Sequence, residues 1–407
     1  MAADLVIRCV GLLDGKEWFE LMQEIIFLKK ILVLADWYEP GYKAGGPIQS
    51  VRNFVSAMHE RYHISILTRD TDLGEDNPYP DIPANQWISR PSGIRIYYAS
   101  EKSLKFGFLK DLIKSENPDF IYLNSMYSVR FSIIPLLLLW RKKIHARVVI
   151  SPRGMLRESA IKFKTKRKKL FISLLNRLRI PGRVIFHATD DQEKKDILHY
   201  FPAAYKVDMI PNFSGSLPEN LSSIEKIPGK LKCVFISRIM EIKNILFFLR
   251  ILNRIPETVQ IEFAIYGEVE DPVYWLGSQK VIESLPKYIT VTYHGPLPHA
   301  QVIPTLEANH VFVLPTKGEN FGHAIFEALS AGRPVLISDK TPWRSLRDKG
   351  VGWDLSLDDP QSWITTVEDL AGFDQLTFNK WSENSRQFAM DHLEKSDLKK
   401  EYLKLFS

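Results

Sequence analysis

The sequence predicts two doubly wound α/β domains of Rossmann-like type, each built on a parallel sheet and facing the other across a cleft. Three observations carry this. Short β-branched runs alternate with helical patterns along most of the chain. The alternation stops once, at PNFSGSLPENLSSIEKIPGK (211–230), rich in Pro, Gly, Ser and Asn, and then starts afresh. And 407 residues suffice for two domains that each bury a core.

The first domain is expected over 29–212. KKILVLAD (29–36) is an apolar run and reads as its first strand. EPGYKAGGPIQS (39–50) is a loop in which Gly45 and Gly46 let backbone approach a ligand, and Pro47 suits a first helical position. Val51, Phe54, Val55 and Met58 then recur at i, i+3, i+4, i+7, a helix over 48–60. HISILT (63–68), IRIYYAS (94–100), DFIYLN (119–124), ARVVIS (146–151), RVIFHAT (183–189) and KVDMIP (206–211) read as further strands, with a long loop at 70–87. FSIIPLLLLW (131–140) reads as a buried helix, since it is half the ~20 residues of a membrane span and Pro135 interrupts it.

After the linker (213–230), the second domain is expected over 231–390. KCVFIS (232–237), IEFAIYG (261–267), YITVTYHG (288–295), HVFVLPT (310–316) and RPVLISD (333–339) are its strands, with helical patterns between and after them. A helix in 391–407 is expected to cross back to the first domain. Residues 1–28 fit no pattern and read either as an added helix or as a start misassigned upstream of Met22.

Two cysteines, Cys9 and Cys233, cannot form a disulfide framework, and the N-terminus lacks a basic n-region and an A-x-A site. A cytoplasmic protein is expected. The net charge of +6 is uneven: KFKTKRKKLFISLLNRLRIPGR (162–183) holds many cations and no acid, with Leu170, Leu174, Leu175 and Leu178 at helical spacing. It reads as a basic amphipathic helix for an anionic membrane face, placing the protein peripherally at the inner membrane; a solvated helix face and, less so, a nucleic-acid surface are alternatives.

Ligands of such sheets bind beyond the carboxyl ends of the strands. There, in SRIMEIKN (237–244), Arg238 ends a strand and Lys243 stands where a helix should begin, a position where the helix dipole disfavours a cation. A diphosphate would reverse that, with Arg238 as a bidentate donor and Lys243 as a point charge; a pair of solvated cations is the bland alternative. In GENFGHAIFEALSAGRPV (318–335), Glu319 and Glu327 bracket a turn in which Gly322 and His323 offer free helix N–H groups. Eight helical residues rise ~12 Å, too far for an acid–base pair on one bond but suited to two hydroxyl-bearing ends of one ligand. Exposed helix glutamates are the alternative.

Together these stretches resemble the retaining GT-B glycosyltransferases of family 4 over nearly the whole chain after residue 28. The carriers are S-R-x-x-x-x-K in SRIMEIK and the paired glutamates of GENFGHAIFEAL followed by SAGRPVLISD. WYEPGYKAGGPIQSV, YLNSMYS, SPRGML, FHATDDQE and DKTPW look like a bacterial subgroup associated with surface-polysaccharide assembly. The resemblance implies a UDP- or GDP-sugar donor, a glycan or lipid-carrier acceptor, and no metal or other cofactor; glutamates beside the expected phosphate groove argue against a nucleic-acid partner. It implies that Arg238 and Lys243 hold the diphosphate, Glu327 the ribose, and Glu319 the transferred sugar. It implies that the Phe321–Gly322–His323 backbone positions that sugar, with Gly45 and Gly46 across the cleft and Tyr266, Gly267 and Glu268 near the base. Where many members carry a His late in the first domain, Ser151-Pro152-Arg153-Gly154 stands here, and Arg153 would point at the donor or at an acceptor phosphate. His187 reads as structural. The alternatives are a nucleotide-sugar epimerase of the same fold, which would need convergent acid–base carboxylates, and a non-catalytic sugar-binding protein.

Overall fold

The computed structural model describes residues 28–162, 165–394 and 397–407. Cys9 and the expectation for residues 1–28 lie essentially outside them. In chain order, the first sheet and its helices are β1 (Lys30–Leu34), α1 (Gly46–Met58), β2 (His63–Arg69), β3 (Trp87–Ser89), β4 (Arg95–Ala99), α2 (Phe106–Glu116), β5 (Phe120–Leu123), α3 (Ile134–Trp140), β6 (Arg147–Ile150), α4 (Glu158–Lys162), α5 (Thr165–Arg177), β7 (Ile185–Ala188), α6 (Asp191–Tyr200) and β8 (Lys206–Met209). The second set is β9 (Lys230–Ile236), α7 (Ile245–Leu252), β10 (Gln260–Tyr266), α8 (Pro272–Glu283), β11 (Ile289–Tyr293), α9 (Val302–Glu307), β12 (Val311–Leu314), α10 (His323–Ser330), β13 (Val335–Ser338), β14 (Gly352–Leu355), α11 (Pro360–Gly372), α12 (Gln375–Glu394) and α13 (Leu398–Leu405).

The first sheet runs β3-β4-β2-β1-β5-β6-β7-β8, and only β3 pairs antiparallel. The second runs β11-β10-β9-β12-β13-β14, parallel throughout. Helices cover both faces, so the central strands are continuous apolar runs: Ile31–Leu34 and Val311–Leu314 are buried at every position. Each sheet grows one way from its first strand and then jumps to the other side. The crevices open where it jumps, between β1 and β5 and between β9 and β12.

Two strands escape the sequence patterns. β3 lies at the end of the expected 70–87 loop, and β14 is four residues with a Gly and an Asp. Both are edge strands, held by a single neighbour, so neither needs a long apolar run. The basic segment is also not one helix over 162–183. α5 ends at Arg177, and its core contacts are Ile172 and Leu175, with Phe171 and Leu178 packed partly against the core. Leu170 and Leu174 instead face solvent, 72% and 46% exposed. Ile172 is two residues, about 200° of helical turn, from each of them, so burying it turns them outward.

The segment after β8 joins the sheets through buried polar anchors. Lys226 donates to the carbonyls of Ile227, Ala371 and Phe373. Arg333, fully buried, donates to the carbonyls of Ser222, Leu306, Gly332 and Glu307. Beyond α12 the chain packs on the first sheet: Tyr402, Leu405 and Phe406 join the core of Phe54, Phe120 and Tyr122. Tyr402 stacks on Phe213 at 4.5 Å.

Candidate active site

A cleft of about 1840 Å³ lies between the carboxyl ends of the two sheets. That exceeds the roughly 300–1,000 Å³ of a site for one small ligand, and leaves room for two.

The second sheet's jump from β9 to β12 fixes the first group. Arg238 follows β9 and Glu319 follows β12, so the switch point sets them on the two sides of one crevice. The loops are tied together: the Lys317 N–H and the Thr316 hydroxyl donate to the Ile242 carbonyl, at 2.7 and 3.0 Å. Lys243 ends a 3-10 turn, Glu241–Lys243, two residues before α7 rather than at its first position. Its Nζ is 2.5 Å from Oε2 of Glu319. Arg238 is paired with Glu270. Neither cation is solvated at random; each is held at the cleft wall by a carboxylate.

The turn before α10 is built for backbone exposure. Gly322 caps the helix at φ 78°, and a Cβ there would sit 2.7 Å from Cδ1 of Ile325 and 3.1 Å from Cγ of Glu319. Phe321 is clamped beneath it, its carbonyl accepting from the Trp343 indole N–H at 2.5 Å. Phe321, Gly322, His323 and Ala324, which lead into and open α10, line the cleft, so the start of the helix borders it. His323 is buried and its pKa is pushed down to about 3, by burial first and by Arg153 next, so the ring is neutral. Its Nε2 pairs with the Ser50 hydroxyl of α1, 2.9 Å away across the cleft.

Glu327 lies on α10, one turn into the helix, with 15% of its side chain exposed. Burial pushes its pKa up to about 8, against a smaller opposing pull from Arg52. His299 Nδ1 is 3.8 Å away but pushed down to about 4 by burial, hence neutral, and it accepts from the Gln49 amide at 3.0 Å. A desolvated carboxyl with no strong local partner is a site that gains from a polar ligand.

From the first domain, Gly45 caps α1 at φ 64° and ψ −121°, a conformation for glycine alone, and nothing lies within 4 Å of where its Cβ would be. Gly46 faces His323, whose Cδ2 is 3.9 Å from its would-be Cβ. The loop before them is fixed by Asp72, which accepts from the Tyr42, Lys43 and Leu73 N–H groups. The 70–87 stretch thus supports the glycine turn. Lys43 spans the domains, bonding Glu75 and lying 3.2 Å from Glu268. Gly267 and Glu268 line the cleft, whereas Tyr266 turns away to stack on His294 at 4.7 Å. No side chain fits at Gly267, where a Cβ would lie 1.8 Å from the Ser237 carbonyl oxygen.

Arg153 holds a left-handed backbone, φ 55°. Such strain costs a non-glycine residue about 1–3 kcal/mol and collects at functional sites. Its guanidinium donates to Asn212, to Asn124 at 2.7 Å and to the Tyr122 hydroxyl at 3.0 Å. The Tyr122 hydroxyl in turn donates to Nδ1 of His187 at 2.7 Å, and Nε2 of His187 donates to the Ile210 carbonyl. His187 is fully buried and belongs to this scaffold rather than to the cleft wall.

Sequence reasoning missed Gln49, Ser50, His299, Asn320, Arg157 and Glu193. Gln49 and Ser50 stand in the first helical turn after the glycine pair, and Asn320 sits inside the glutamate motif, so position alone could have flagged these three. His299, Arg157 and Glu193 lie far in sequence from the groups they meet across the cleft, and only the approach of the domains brings them to Gln49 and Asn320.

Residues 230–372 match the family model described as "Glycosyl transferases group 1". No curated protein sequence matches the chain. Among solved structures, sucrose-phosphate synthase from Thermosynechococcus elongatus aligns at TM-score 0.66 and 17% identity, over 89% of this chain and 94% of its own. HepE of Anabaena, in complex with UDP and glucose, aligns at 0.64 and 13%, over 93% and 98%. TarM of S. aureus, a complex that includes UDP, aligns at 0.65 and 14%, over 93% and 100%. The fold is GT-B.

Proposed function

We propose that this chain is a glycosyltransferase that moves a sugar from a UDP- or GDP-sugar to a glycan or lipid-linked glycan acceptor with retention of configuration, in surface-polysaccharide synthesis. One observation carries the reading: Arg238, Lys243 and the first turn of α10 converge on one wall of the cleft, between carboxylates suited to the two hydroxylated ends of a nucleotide sugar. The donor's sugar C1–O bond breaks and the acceptor oxygen bonds to C1 from the same face. The acceptor's proton leaves with the diphosphate oxygen. The protein positions the partners and neutralises the leaving group through Arg238, Lys243 and helix N–H groups, without a metal. Glu319 contacts the transferred sugar, Glu327 the ribose, and Gly45 and Gly46 approach the diphosphate. Gly267 and Glu268 lie on the base side, and Arg153 faces the acceptor. No nucleic acid is involved: Glu319, set beside the groove that takes the diphosphate, disfavours a longer phosphate backbone.

A thermal-shift screen of UDP- and GDP-sugars tests the donor assignment. At 100 times its dissociation constant the true donor adds about 2.7 kcal/mol of stability. A flat response to every nucleotide sugar would sink the reading.

The lipid-linked acceptor implies work at an anionic membrane face. Among the described residues no helix is long and apolar enough to cross a membrane. α5 offers a surface instead, with Leu170 and Leu174 exposed among Lys166, Arg167, Lys169 and Arg177, while Arg167, Lys168 and Phe171 reach the cleft rim. Vesicles containing anionic lipid are expected to retain the protein at low salt and release it at high salt, with weaker retention for Leu170→Ser/Leu174→Ser. Equal recovery in the supernatant with and without anionic vesicles would exclude this surface.

A further inference from the structure

Asn320, beside Glu319 in the second domain, inserts into the first domain. Its Oδ1 accepts from Nε of Arg157 at 2.8 Å, and its Nδ2 donates to Oγ1 of Thr189 at 3.3 Å and to Oε1 of Glu193 at 3.4 Å. Only one orientation of the amide works, because Arg157 can only donate, so the oxygen must face it and the Nδ2 must face Thr189 and Glu193. Room for it exists because residue 154 is glycine: a Cβ there would lie 2.5 Å from Oδ1 of Asn320. Gly154 also stands at φ 75° and follows the strained Arg153.

The receptor is complete before Asn320 arrives. Glu193 is fully buried, yet it already accepts from the Gly154 N–H at 2.6 Å and from the Thr189 N–H and hydroxyl, each at 2.7 Å. Arg157 is steadied by Asp190 at 2.6 Å. Withdrawal of Asn320 therefore strands no buried charge, and the socket can fill and empty reversibly. None of these first-domain groups is needed by the chemistry proposed above.

We propose that Asn320 is a positioning residue. The Gly154–Arg157–Thr189–Glu193 socket grips it and sets the register in which the two domains close, carrying Glu319 and the N-terminus of α10 into place over the cleft. This deepens the donor-site reading and rests on it for its functional meaning. Ser50–His323, Gln49–His299 and Lys43–Glu268 also bridge the domains, and the Asn320 socket adds a contact made with a different part of the first domain.

The test compares wild type, Asn320→Ala, Gly154→Ala and the double variant by small-angle scattering and amide exchange, with UDP and GDP as binding probes. Asn320→Ala is expected to enlarge the radius of gyration of the ligand-free protein. It should also speed exchange at 154–157 and 189–193 about tenfold, the effect of one lost hydrogen bond to a charged group. Gly154→Ala should open wild type likewise but add no further opening in scattering to Asn320→Ala, since the clash is with the Asn320 side chain, while the alanine strained at φ 75° raises exchange locally in both backgrounds. Unchanged scattering and exchange in Asn320→Ala overturn the proposal, as does a Gly154→Ala opening that persists without Asn320. If wild type binds neither UDP nor GDP, the donor reading fails, while the socket is still judged on scattering alone.

Discussion

Lys243→Ala is expected to lower turnover by about 10²–10³-fold, the usual cost of removing one preorganised group that stabilises developing charge. Two effects add. The leaving diphosphate loses a point charge, and Glu319 loses its partner, since the Lys243 ammonium lies 2.5 Å from that carboxylate. An uncompensated carboxylate then stands beside an incoming polyanion, so donor affinity falls as well. Lys243→Arg should recover little, because a planar guanidinium does not replace a compact ammonium between a carboxylate and a phosphate. Lys243→Ala/Glu319→Gln should regain donor affinity but not turnover. Steady-state kinetics with the donor found by thermal shift measure this, and turnover within threefold of wild type would remove Lys243 from the chemistry.

Glu327→Gln is expected to weaken nucleotide-sugar binding about ten- to a hundredfold and to abolish its pH dependence, since a charged hydrogen-bond acceptor is exchanged for a neutral one. In the ligand-free protein burial pushes Glu327 up to about 8. Only the ionised carboxylate can accept from both ribose hydroxyls, so binding expels a proton. Donor affinity should therefore rise with pH up to about 8, by at most about tenfold per pH unit, and level off above it. Stability runs the other way. The folded-state pKa is raised, so between the ordinary carboxylate range and about 8 the folded protein retains a proton that the unfolded chain has released. The ligand-free protein is thus expected to lose stability across that window, and Glu327→Gln to lose that part of the slope. His299, neutral above about 4, adds no titration of its own there. Calorimetric titrations with UDP across the window check the sign; affinity independent of pH in wild type would mean that Glu327 does not meet the ribose.

Much of the scaffold was legible because it depends on short-range pattern. Ile31–Leu34 and Val311–Leu314 are buried on both faces and read as apolar runs. Val51, Phe54, Val55 and Met58 face one core and read as a helix. The edge strands β3 and β14 did not, since one neighbour suffices to hold them. The α5 stripe misled because leucines at 170, 174, 175 and 178 satisfy a helical period, whereas burial chose Ile172 and Leu175.

The sequence by itself determined which residue types stand just beyond the strand ends: Arg238, Lys243, Glu319, Glu327 and the Gly45–Gly46 pair. Those positions follow from local order along the chain, and a parallel sheet brings them to one edge. Tertiary structure alone decided their states. Lys243 is paired with Glu319, Arg238 with Glu270, and Glu327 is desolvated, because each state depends on residues brought close only by the fold, 76 positions apart for the first pair and 32 for the second. Likewise Asn320 finds Arg157 and Glu193 only when two domains meet, and a contact 163 residues distant in sequence leaves no periodic trace in either segment.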